Sequence, residues 1–307
     1  MRQTFSYTIS GGLVPGSILP GYADREVSSD LISREVPPNV LCYARPDLWH
    51  ERVWKMLSDL ITDEVRAEFL ASPPEYVVSD DLSWLDTIIE AVSGEQTDIK
   101  EVTADRLVEE FEAFRMFHAT RTGDLAPYYE RGLRFLSNRE IEDRAREIFL
   151  NGKFATANEA SLSAAIEDLT KPFVYRSEMQ SRLYCCADEA AFTTSAGGCG
   201  HYLDFGSEYL FNLGLRLTSD FEAKEALRAA GSPTLFVLDV PMSLISRETI
   251  LEFSGSLLEH LFCSLSDDLE AYTLSPGAGT AVVLRKEIPP SAFFGHFHPK
   301  HFYHTHK

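Results

Sequence analysis

Apolar residues recur at threes and fours between Pro46 and Phe69, where Leu48, Val53, Trp54, Leu57, Leu60, Ile61 and Val65 make one stripe. That spacing predicts an amphipathic helix, ended before Pro73-Pro74. A second helical pattern runs from Leu82 to Val92 into Ser93-Gly94, and a third from Ala104 to Phe114 behind a Thr103 cap. At Phe114 the period changes. Phe-Arg-Met-Phe-His-Ala-Thr alternates apolar and polar residues as a half-buried strand does. Beyond it the pattern predicts a short helix over Asp124 to Glu130, then helices over Asn138 to Leu150 and Asn158 to Leu169, the last closed by Pro172. Strands are predicted at Arg182 to Ala187, Thr234 to Val240, Thr280 to Arg285 and Phe293 to Phe297, with helices at Glu208 to Leu217 and Ser246 to Phe262. Strands and helices do not alternate strictly, so an α+β fold with a mixed or antiparallel sheet is expected rather than a doubly wound one. The change of texture suggests a mainly helical acidic region over residues 1–105 and an α+β domain over 106–307.

Composition sharpens this picture. The 307 residues are 44% hydrophobic, ample for packed cores. No apolar run approaches the roughly 20 residues that span a bilayer, and the stretch Met1 to Pro20 lacks a charged-then-apolar signal layout; a cytoplasmic protein without membrane attachment is expected. Five cysteines without C-x-x-C spacing indicate neither a disulfide framework nor a thiolate zinc site, and Cys185-Cys186 reads as a pair of small buried hydrophobes. Net charge is −19, of which −12 falls in residues 1–110. Such a chain repels phosphate backbones overall, although residues 115–182, with 11 bases against 10 acids, could still present an Arg-rich face.

The candidate chemistry begins at Phe117-His118-Ala119-Thr120-Arg121, followed by the short helix and by Gly132-Leu133. A histidine beside a hydroxyl at a strand end can hold the amide and ribose hydroxyls of a nucleotide. The layout of strand, His-x-Thr, short helix and Gly-Leu resembles the opening of the ADP-ribosyltransferase superfamily, which includes the tRNA 2′-phosphotransferases; the likeness covers at most residues 114–307. It implies an enzyme that uses NAD as substrate, with His118 and Thr120 gripping it. In one version of the site Tyr184 stacks on the nicotinamide; in another Thr193, Thr194 and Ser195 act beside Arg121.

The same likeness makes Tyr202 or Tyr209, in the run Gly200 to Tyr209, a ring-stacking residue and Glu208 a candidate acid, although Ser207 as N-cap and Glu208 in the first turn also suit a helix start. By order along the chain, Glu270 in Asp267 to Thr273 corresponds to the catalytic glutamate, ahead of Glu208, with Glu287 third. The implied function is transfer of ADP-ribose to a nucleic acid or protein, of the kind toxin and phage-defence effectors carry out, with an antitoxin or regulatory protein as a further partner. The alternatives are a catalytically degenerate nucleotide-binding module of the same fold, or an RNA 2′-phosphotransferase using Arg115, Arg121, Arg131 and Arg134. The tail from His296 to His306 holds five of the nine histidines, but without interleaved carboxylate or thiolate no metal is expected.

Overall fold

The computed structural model describes residues 35–135, 137–152, 157–170, 182–195, 197–266, 277 and 279–302. In chain order these form β1 (Val40–Leu41), α1 (Pro46–Met56), α2 (Asp63–Ala71), α3 (Ser83–Ser93), α4 (Ile99–Glu110), β2 (Ala113–Thr122), α5 (Ala126–Arg131), α6 (Asn138–Phe149), α7 (Glu159–Thr170), β3 (Leu183–Cys186), α8 (Ala190–Thr193), α9 (His201–Phe205), α10 (Glu208–Leu217), α11 (Asp220–Ala229), β4 (Ser232–Pro241), α12 (Arg247–Cys263), β5 (Ala281–Leu284) and β6 (Phe293–Phe297). Helices and an antiparallel sheet make this an α+β fold, as the chain's patterning predicts.

The sheet runs β5-β3-β2-β4-β6, with the short β1 added parallel to β2. β2 is the axis, paired with β4 at every position from Ala113↔Pro241 to Thr122↔Ser232. Alternation along it divides the interior. Phe114 and Met116, with Phe236, Leu238 and Val240, face a large core shared with α1 to α4 and α12. Phe117 and Ala119, with Leu235 and Val237, face a smaller one closed by Ala191, Phe192 and Leu203. α6, α7, α10 and α11 bury a third cluster of their own around Phe149, Leu162, Leu213 and Leu227.

Arg115 sits on the second face, fully buried, and is answered by its register partner Asp239: Nε and Nη2 donate to the two carboxylate oxygens at 2.7 and 2.9 Å. Its Nη1 donates to the Glu35 carbonyl at 2.7 Å, and the guanidinium lies 4.3 Å from the Phe294 ring centre.

Three expectations differ from what is observed. The helix expected over Pro46 to Phe69 is two helices, because the chain turns after Leu57 and Thr62 caps a new start by accepting from the Val65 amide. Leu57 and Ile61 stay buried through the turn, so the apolar period runs on where the helix does not. The helix expected behind Thr103 begins earlier, at Asp98, whose carboxylate accepts from the Glu101 amide at 3.0 Å. Thr103 lies inside it and donates to the Ile99 carbonyl at 2.7 Å, while Phe114 already belongs to β2. The boundary expected at 105/106 therefore falls within α4, and the helices on its N-terminal side pack against the C-terminal part of the chain: Phe69 and Trp84 meet Phe262 of α12 at 4.9 and 5.1 Å between ring centres. Arg247 of α12 pairs with Glu101 and Asp105 of α4.

Candidate functional site

β2 follows β4 along its whole length but meets β3 in register only at Phe117↔Cys186. The two strands part beyond that pair, and His118 stands at the seam. Its Nδ1 lies 2.8 Å from the Tyr184 carbonyl. A carbonyl oxygen only accepts, so the ring carries its proton on Nδ1 and leaves Nε2 as a lone pair. Nε2 has no hydrogen-bond partner among the described residues and is not sealed off from solvent. Burial lowers the His118 pKa, which keeps the ring neutral. The result is an acceptor nitrogen oriented by the backbone of the neighbouring strand.

Phe236, the register partner of His118, is covered by Tyr128 of α5 at 4.5 Å between ring centres. Burial raises the Tyr128 pKa. The Thr120 hydroxyl donates to the Gly206 carbonyl at 3.4 Å. Thr120, 8% exposed, thus works inside the protein and ties the α9–α10 turn to the strand end. α5 then ends at Gly132, whose φ of 82° and whose approach to the Ile288 carbonyl, 2.0 Å from where a Cβ would sit, exclude other residues. This is the structural reason for Gly132-Leu133, since Leu133 bridges to Ile288.

The remaining candidates are distributed around this seam. Tyr184 alternates with Leu183 and Cys185, so its side chain takes the sheet face opposite His118, 37% exposed, and the two meet only through the Tyr184 carbonyl. On that face Tyr202 packs against the smaller core; burial, and next the charge of Glu208, raise its pKa. His201 lies on the Tyr202 ring at 4.1 Å. Glu208 is exposed in the first turn of α10, which Ser207 caps by accepting from the Leu210 amide. Tyr209 packs into the third, all-helical cluster.

Arg121 donates to the carbonyls of Leu203, Arg228 and Gly231 at 3.2, 2.5 and 2.6 Å, tying two helix ends to β2. Ser195 is exposed in a turn, and the Thr193 and Thr194 hydroxyls bond back to carbonyls of Glu189 and Ala190. Glu287 accepts from Arg134 and from the Phe135 amide. Glu270 lies outside the described residues.

His296 is wholly buried on β6, on the His118 side of the sheet, with Nδ1 2.6 Å from the Tyr129 hydroxyl. No three His, Cys, Asp or Glu residues come together as a metal site among the described residues. None of the described helices is long and apolar enough to cross a membrane.

Sequence reasoning missed Tyr128, whose ring covers Phe236 beside His118. Tyr128 had a signal: it lies in the first turn of a Pro-containing helix that follows a strand ending in Thr120 and Thr122. The fold and site define an α+β protein whose central strand presents a neutral, oriented histidine beside a parted strand pair. Neither family models, nor curated proteins, nor solved structures give a match to this chain.

Proposed function

We propose that the protein binds NAD at the β2–β3 seam and transfers its ADP-ribose to a macromolecular acceptor. The observation that carries this reading is His118: Nδ1–H fixed by the Tyr184 carbonyl, Nε2 without a partner among the described residues, and the ring held neutral by burial. Such a nitrogen accepts a hydrogen bond from a ribose hydroxyl and does not compete for a proton near neutral pH. In the transfer the bond between ribose C1′ and the nicotinamide nitrogen breaks, the bonding pair leaves with nicotinamide, and positive charge builds on the ribose. A carboxylate on the 2′-hydroxyl stabilises that charge. Glu270 fills this role by chain order, with Glu208 as the second candidate.

Arg115, Arg121 and Arg134 are engaged with Asp239, backbone carbonyls and Glu287, which weighs against an RNA 2′-phosphotransferase. A second reading, a nucleotide-binding module without turnover, draws support from Thr120 and Arg121, whose polar groups are used within the protein.

Incubation with NAD labelled on its adenylate, alone and with cell lysate, separates the two. Transfer predicts released nicotinamide and labelled macromolecule; the binding module predicts affinity by calorimetry with neither. His118→Ala should weaken NAD binding about tenfold, as loss of one well-placed hydrogen bond does. Wild-type protein that binds no NAD would end both readings.

A further inference from the structure

Between α2 and α3 the chain reads Ser72-Pro73-Pro74-Glu75-Tyr76-Val77 and forms neither helix nor strand. The two prolines suffice to stop α2, since neither can donate to a helical carbonyl. They do not account for Tyr76, whose ring is 71% exposed; among the described large apolar side chains only Phe221, at 72%, is more open. Residues 73–78 make no backbone hydrogen bond among the described residues. The segment is nevertheless held at both ends. Phe69 is wedged between Trp84 and Phe262, at 5.3 and 4.9 Å between ring centres, and Val77 is buried in the large core. Just beyond, the Ser79 amide donates to the Glu259 carboxylate at 2.9 Å, and the Lys100 ammonium donates to the Ser79 carbonyl at 3.0 Å. Tyr76 is thus presented outward from a fixed frame.

We propose that Pro73-Pro74-Glu75-Tyr76 is a docking site for a small β-sheet domain of the WW type, which takes polyproline II in a groove of aromatic rings. Each proline fixes its own φ near −65° and biases the residue before it toward extended backbone. Ser72-Pro73-Pro74 therefore enters such a groove with little conformational entropy left to lose. Polyproline II has three residues per turn, which brings Pro73 and Tyr76 to one edge. The proline rings lie against the partner's aromatic faces, and the tyrosine ring fills the adjoining pocket, removing from water a surface that this fold leaves open. Glu68, Glu75, Asp80 and Asp81 are exposed around the segment, so the fitting groove has a basic rim. The segment lacks the Pro-x-x-Pro spacing that SH3 grooves read, which selects against that class.

The test is calorimetry of the full-length chain against an isolated WW domain that selects Pro-Pro-x-Tyr peptides, with an SH3 domain as comparison. Wild type should bind one WW domain per chain, more weakly as salt is raised. Tyr76→Ala, at a position open enough to leave the fold intact, should weaken binding at least about thirtyfold, as loss of a central interface aromatic does. Pro74→Ala should weaken it in the same direction. Phe221→Ala, which removes an equally open ring on α11, should bind as wild type does, separating docking from general adhesion to exposed aromatics. Wild type that does not bind, undiminished binding by Tyr76→Ala, equal binding of the SH3 domain, or a free peptide of residues 70–80 that binds where the whole chain does not would each overturn the proposal.

Discussion

His296 offers a test of the interior that needs no knowledge of substrate. The ring is fully buried; burial, and then the proximity of His298, push its pKa from 6.5 down to about 3. In the unfolded chain it titrates normally, so below about pH 6.5 the unfolded state binds a proton that the native state refuses, and stability falls with falling pH. The sign is that of a depressed folded pKa: the contribution is intact above 6.5 and lost progressively toward 3. Integrating between those values gives a loss of about 2 kcal/mol at pH 5 relative to pH 7.5. The groups facing the ring are the Tyr129 hydroxyl and the His298 imidazole.

Urea unfolding followed by tryptophan fluorescence at pH 7.5 and 5.0, on wild type and His296→Gln, reads the effect. Glutamine keeps a partner for Tyr129 and removes the titration. The wild type should lose about 2 kcal/mol more than the variant over this interval. His260, pushed down to about 4 by burial and by His50, acts in the same direction and supplies a pH dependence that both proteins share. Equal losses in the two proteins would refute a buried neutral His296.

Asp239→Asn leaves the fully buried Arg115 guanidinium without its charge partner and should cost about 3 to 5 kcal/mol in chemical denaturation; a cost below about 1 would show that water reaches Arg115. Limited proteolysis should nick the exposed connection between α3 and α4 while the two pieces co-elute, because both contribute to one core, and a fragment of residues 106–307 should be insoluble; a soluble, folded fragment would refute the shared core. For the proposed transfer, one of Glu270→Gln and Glu208→Gln should lower turnover about 10²- to 10³-fold with little change in NAD affinity, and full activity in both variants would discard the mechanism.

Much of the fold is legible where local signals coincide. α10 is readable to the residue because Ser207 caps a helix whose apolar stripe ends with it, and β6 because its apolar run follows Pro289-Pro290. The break between α1 and α2 is not, since Leu57 and Ile61 face the same core as the helices around them. Thr103 misleads because threonine is a good cap, but here its hydroxyl bonds back along the helix it occupies. At the site, strand and helix periodicity correctly set His118 on β2, yet they carry no information on which neighbour fixes its tautomer. Arg121 shows the same limit: an arginine at a strand end is equally suited to an anion and to three carbonyls, and only tertiary structure decides.

The central position of β2 has a consequence for synthesis. Its buried ion pair joins residues 124 positions apart, and the Ser79 amide finds the Glu259 carboxylate 180 positions later. The helices α1 to α4 thus leave the ribosome with Trp49, Phe69 and Ile89 ready to pack and α12 not yet made. At about 5 to 20 residues per second, that separation of 180 keeps their apolar faces uncovered for about 10 to 35 seconds. Nascent chains of this protein should therefore engage holding chaperones until α12 emerges and the large core can close.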